Sequence, residues 1–167
     1  FHEPSGFLIG GGLDDVWHDP KTDEIFIVDY KSTAGKRNKE MNALEPMSLF
    51  GAYKKAYKRQ MDMYQWIMKQ NGFNVSNTGY FLYVNGDQHF EDGMLAEDED
   101  KALMKFEVEL LAHESDDSWV DNKIMELKTC LHQETCPPHA ESGFGPKGDK
   151  QCEYSSLFNA MKKNNLI

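Results

Sequence analysis

The triplet Asp29-Tyr30-Lys31 constrains this chain more than any other stretch, because it follows a strand-like apolar run, Ile25-Phe26-Ile27-Val28. Alternate side chains on a strand share a face, so Asp29 and Lys31 point one way and Tyr30 the other. Upstream, Asp14 stands in Gly11-Gly12-Leu13-Asp14-Asp15-Val16-Trp17, which also reads as a strand. Two strand-borne carboxylates hold a hard divalent cation, and a nearby ammonium orients or helps deprotonate an attacking water. That is chemistry suited to hydrolysing a phosphodiester. The bland alternative is a pair of solvated strand-end carboxylates with a salt bridge from Lys31 to Asp29, and the salt bridge is compatible with both readings. A cation bound next to Lys31 also disfavours its charged form and helps it accept a proton.

A third element strengthens the pattern. Gln60 and Tyr64, four residues apart in Tyr57-Lys58-Arg59-Gln60-Met61-Asp62-Met63-Tyr64, lie on one face of a predicted helix. Gly11 to Asp14, Asp29 to Lys31 and Gln60 to Tyr64, in that order on strand, strand and helix, resemble the PD-(D/E)XK nuclease superfamily and its RecB-like branch. The resemblance runs from about Phe7 to Tyr83, with looser similarity to the C-terminus. It implies an α/β (α+β) restriction-endonuclease-like core, a central mixed β-sheet flanked by helices. It further implies Mg2+ or Mn2+ held by Asp14, Asp29 and the peptide carbonyl of Tyr30. Lys31 is then the water-orienting group, and Gln60 and Tyr64 border the site and support the lysine or the nucleic-acid strand. Asp15, next to Asp14, faces away on a regular strand and reads as a surface residue. Tyr53 and Tyr57 extend the Gln60–Tyr64 stripe and read as core residues packed on the sheet.

Charge bears on the partner. The 28 acidic residues outweigh 18 Lys and Arg among 167, for a net charge of −10. That balance is awkward for a nucleic-acid binder, which needs local positive charge. The excess is uneven, however, and local field matters more than the total. From Lys31 to Lys69 it is basic, and Lys36, Arg37, Lys54, Lys55, Lys58 and Arg59 are candidate DNA contacts, with an exposed solvated helix face as the competing reading. From Asp87 to Asp121 it is acidic, read as an ordinary solvated face.

Three cysteines, Cys130, Cys136 and Cys152, do not form a disulfide scaffold. Some RecB-like nucleases hold an iron–sulfur cluster through four cysteines. Here Ser155 stands where Cys152-Glu153-Tyr154-Ser155 would need a second thiol, so a cluster is not expected. Zinc on these cysteines with His132 or His139 matches no standard module. The segment 130–167 therefore resembles a degenerate cysteine-cluster region, with Pro137-Pro138 and Gly143 to Gly148 in a flexible loop. No stretch is long and apolar enough to span a bilayer. No signal peptide is visible, and a cytoplasmic location is the expectation.

The length fits a single domain over 1–167. The related nucleases carry an upstream helical segment with a further metal ligand. The chain starts almost at the first motif, so a fragment lacking that part is expected. His2 or Glu3 is the nearest substitute ligand, against the reading of a frayed end. Local patterning predicts strands over Phe7–Trp17, Glu24–Lys31, Thr78–Val84 and Leu103–Leu111. Asp19 to Asp23 is a turn, Ser32 to Pro46 a polar loop, and Asn85-Gly86 a turn. In the last strand Met104, Phe106, Val108 and Leu110 are the buried set. Helices are predicted over Met47–Asn71, stopped by Gly72, over Ser118–His132 with Asp116, Asp117 or Ser118 as cap, and over Tyr154–Asn164.

The expected function is metal-dependent hydrolysis of DNA, exonuclease-type, in repair, recombination or phage-related processing, with protein partners from such a complex. The alternative is a catalytically silent nucleic-acid-binding or assembly module of the same fold. A generic α/β interaction domain with coincidental motifs is the weakest reading.

Overall fold

A computed structural model describes residues 1–35, 37–38, 43–51, 54–87, 105–135 and 153–166. The chain forms two compact units, Phe1–Asp121 and Asn122–Ile167. In the first, strands β1 (Asp15–Asp19), β2 (Glu24–Gly35), β5 (Thr78–Asp87) and β6 (Lys105–Glu114) make one sheet in the order β1-β2-β5-β6. The β2–β5 pair is parallel and the other two pairs are antiparallel. Short strands β3 (Arg37–Asn38) and β4 (Ala43–Leu44) and helix α1 (Lys54–Gln70) lie within the β2-to-β5 crossover that a parallel pair requires. Helix α2 (Val120–Leu131) runs from the first unit into the second, and α3 (Glu153–Lys163) belongs to the second. The expected mixed sheet with helices is therefore present. No helix among the described residues is long and apolar enough to cross a membrane.

The core lies between the sheet and α1, where Ile27, Met61, Val75, Phe81 and Tyr83 are buried together. Gly79 lets the helix come close, since a Cβ there would stand 2.4 Å from the Met61 sulfur. Helix α1 ends as expected. Gly72 has φ +84, its N–H donates to Lys69 O and the Phe73 N–H to Met68 O, which closes the last turn. The 19–23 turn also holds, with Lys21 N–H on the Asp19 carboxylate and Asp23 N–H on Asp19 O.

Five local expectations fail. The opening of the polar loop expected over Ser32–Pro46 is strand, because β2 runs on to Gly35 beside β5. The strand predicted from Phe7 begins only at Asp15, whose partner is Val28. The helix predicted from Met47 starts at Lys54, while the Met47 N–H is bound by the Glu109 carboxylate at 3.0 and 3.2 Å. Asn85-Gly86 does not turn. Both residues continue β5, paired with Thr33 and Ala34 of an extended β2, and the Asn85 side-chain oxygen accepts the Gly35 N–H at 2.7 Å.

The fifth correction concerns β6, which carries its apolar set on the side away from α1. Leu110 lies opposite Leu82, and Leu111 opposite Phe81, so Leu111 and His113 face the helix. Phe106, Val108 and Leu110 are 45%, 61% and 46% exposed. Met104 lies outside the described residues. The same outer face carries Trp17 and Phe26, both packed on Tyr80.

The polar partners beneath α1 are equally specific. Asp62 accepts from the Trp119 indole at 3.1 Å and lies 3.0 Å from His113, tying helix to strand. In the second unit, α3 places Leu157 and Phe158 one residue apart, both exposed.

Candidate active site

Strand β2 outlasts its antiparallel partner, and the site forms at that point. The β1 ladder stops at Asp15 opposite Val28. One residue earlier in the chain, the Asp14 carboxylate takes over as acceptor and receives the Tyr30 N–H at 2.8 Å. Asp29, between Val28 and Tyr30, is 3% exposed on the inner face. Lys31, two residues on, shares that face and forms an ion pair with Asp29 Oδ2. Burial pushes the Asp29 carboxyl above its ordinary range, and the negative charge of Asp14 adds to this while the Lys31 ammonium opposes it.

Helix α1 completes the cluster. The Lys31 ammonium donates to Gln60 Oε1 at 3.4 Å, and Gln60 Nε2 donates to the Tyr64 hydroxyl at 2.8 Å. The Tyr64 ring lies against Gly11, where a Cβ would come within 2.7 Å of Cε1. The segments containing Asp14, Asp29, Lys31, Gln60 and Tyr64 thus meet, although they are far apart in sequence. Asp15 faces the other way, as expected. Its carboxylate accepts from the Tyr30 hydroxyl at 2.6 Å, the Trp17 indole at 3.0 Å and the Val16 N–H at 2.8 Å. These donors hold the Asp15 carboxyl below its usual range, led by the Tyr30 hydroxyl, and the same contact raises Tyr30.

The donor set fits a hard divalent cation. Apart from its ion pair, Asp29 Oδ2 is buried with no hydrogen-bond partner among the described residues, leaving lone pairs for a ligand. In a strand the N–H and C=O of one residue face the same edge. Because the Tyr30 N–H meets Asp14, the Tyr30 carbonyl faces that edge as well. Two carboxylates and a peptide oxygen suit Mg2+ or Mn2+, which take oxygen donors and keep several waters. Among the described residues no group of three or more His, Cys, Asp and Glu side chains is assembled for a metal. His2 has other partners, with its ring nitrogens 2.8 Å from Ser5 Oγ and 3.2 Å from Asp121 Oδ1, and its edge toward Trp66.

The basic residues divide. Lys55 and Arg59 are exposed on α1, and Lys58 sets its ammonium 5.7 Å from the centre of the Phe50 ring. Lys54 departs from the expectation of an exposed helix face: it is 6% exposed, and its ammonium donates to the buried Tyr83 hydroxyl. Lys36 lies outside the described residues, as does the side chain of Arg37. Tyr57 packs against the core as the sequence predicts, and its ring centre is also 4.7 Å from the Lys31 ammonium. The signal for it was available: Tyr57 stands three residues before Gln60, on the same helical face. Cys130 is exposed with a free thiol, while Tyr53, Cys136, Cys152 and His139 fall outside the described residues.

Comparison with curated proteins and with solved structures found no match. The family model described as PD-(D/E)XK nuclease superfamily matches residues 2–157. That span takes in the Asp14–Asp29–Lys31 cluster and the helix that braces it, and the mixed sheet is the one this fold requires; the chain belongs to the PD-(D/E)XK nuclease superfamily.

Proposed function

We propose that this protein is a Mg2+- or Mn2+-dependent nuclease of the RecB-like branch that hydrolyses DNA phosphodiester bonds, acting as an exonuclease. The observation that carries the reading is the meeting of Asp14, Asp29 and Lys31 with Gln60, which braces the lysine from a different element. Asp14, Asp29 and the Tyr30 carbonyl hold the cation. When bound, it supplies Lewis-acid polarisation of the phosphate and a lowered pKa for its water. Lys31 orients the attacking water and offers positive charge to the transition state. Gln60 and Tyr64 keep the Lys31 ammonium in place, and proximity of this kind accounts for a large share of catalysis.

Lys55, Lys58 and Arg59, with Lys36 and Arg37, bind the DNA backbone, and Lys54 contributes charge from beneath the helix. Repair, recombination or phage DNA processing in the cytoplasm, alongside protein partners, is the setting this activity suits.

The test is cleavage of end-labelled single- and double-stranded DNA with Mg2+ or Mn2+, an EDTA control and an Asp29→Ala protein. Metal-dependent cutting that disappears in the variant supports the enzyme, and the product ladder reports its polarity. Absence of cutting together with absence of calorimetric metal binding would favour the silent binding module instead.

A further inference from the structure

Among the described residues, the Lys31 ammonium has three neighbours of different kinds. Asp29 pairs with it, Gln60 reaches it only at 3.4 Å, and the Tyr57 ring centre is 4.7 Å away. The same ring has a second cation near it, the Lys54 ammonium at 5.4 Å. Lys54 is fixed in turn by the hydroxyl of Tyr83 and lies 4.2 Å from that ring centre. On α1, Lys54, Tyr57 and Gln60 follow at three-residue steps and share a face toward β2 and β5.

The three holders are not equivalent once Asp29 binds a cation. Its oxygens are then engaged, and the pull on Lys31 weakens. The amide of Gln60 and the face of Tyr57 remain. An aromatic face attracts an ammonium without accepting its protons or cancelling its charge. A ring in this place therefore keeps the lysine located while leaving its N–H groups for water and phosphate.

We propose that Tyr57 is a positioning residue for Lys31, holding the ammonium through its ring while Asp29 is committed to the cation. This rests on the nuclease reading for its consequence in catalysis, but not for the placement itself. The placement is read by NMR on the EDTA-treated protein, following the Lys31 side-chain methylene protons next to the ammonium. A ring at this distance shifts them upfield. The expected result is an upfield shift in the native protein and in Tyr57→Phe, and its loss in Tyr57→Leu.

In cleavage assays Tyr57→Leu should lower kcat about tenfold with KM for DNA within about twofold, and Tyr57→Phe should recover the lost rate. Unshifted Lys31 protons in the native protein or in Tyr57→Phe overturn the proposal, even if Tyr57→Leu does not fold. Equal kcat in a folded Tyr57→Leu overturns it too. A native protein that shows the shift yet neither cuts DNA nor binds Mg2+ or Mn2+ upholds the placement and overturns the nuclease reading.

Discussion

Gly11 and Tyr64 touch so closely that no other residue fits at position 11 without moving the ring: a Cβ would lie 2.7 Å from Tyr64 Cε1. Both belong to patterns legible in the sequence, the glycine 18 residues before Asp29 and the tyrosine on a helix. The contact explains why the two patterns occur together. The loop leading to Asp14 is seated on the same tyrosine whose hydroxyl receives the Gln60 amide. The segment carrying Asp14 and the residues that support Lys31 are thereby placed against one another.

Gly11→Ala should therefore impair the site without unfolding the protein. Displacing Tyr64 costs about 1–2 kcal/mol of stability by overpacking. It also disturbs Gln60 and so Lys31, and cleavage should fall by about tenfold. Denaturant melts alongside kcat measurements check both, and an unchanged rate would show that the Tyr64 ring relocates without consequence.

Asp29→Asn should separate stability from activity. The native carboxylate is 3% exposed and raised in pKa by burial and by Asp14, so its charged form is held against its preference. The amide retains an acceptor for Lys31 and loses the desolvated charge. Because a carboxyl raised in the folded state costs stability when ionised, the variant should be at least as stable at neutral pH, and slower by roughly 10²–10³-fold. Thermal melts in EDTA and single-turnover cleavage test the two halves.

Asp15→Ala should show the opposite linkage. The Asp15 carboxyl is lowered in the folded state by the Tyr30 hydroxyl, the Trp17 indole and the Val16 N–H. A lowered carboxyl contributes stability that is present above its unfolded pKa and is lost as pH falls through the folded one. The native protein should melt higher than the variant at neutral pH, and the gap should close in acid below that folded value. A gap that is constant with pH would assign the loss to packing alone.

The buried anchor and the exposed cations predict different phenotypes. Asp62→Ala leaves the Trp119 indole and His113 without their shared acceptor, and should destabilise the protein by about 2–4 kcal/mol. Replacing Lys55 and Arg59 together by Ala should leave stability nearly unchanged. It should reduce the slope of log Kd against log salt by about one to two for duplex DNA. Urea melts and binding titrations across a salt series distinguish them.

The sequence by itself determined the family and the local punctuation. The meeting of Asp14, Asp29, Lys31, Gln60 and Tyr64 was legible because strand and helix periods put the last four on defined faces, and because their order resembles a pattern of the family whose model covers residues 2–157. The 19–23 turn and the Gly72 stop were legible because they depend on backbone preferences of the residues concerned. Only the tertiary structure decided what depends on a distant partner. The capture of the Met47 N–H by Glu109, the extension of β2 and β5 through Asn85-Gly86, the outward apolar face of β6 and the burial of Lys54 on Tyr83 all follow from register between segments remote in the chain. A one-residue change of register exchanges the two faces of a strand, so alternation in β6 told which residues share a face and could not tell which face meets the helix.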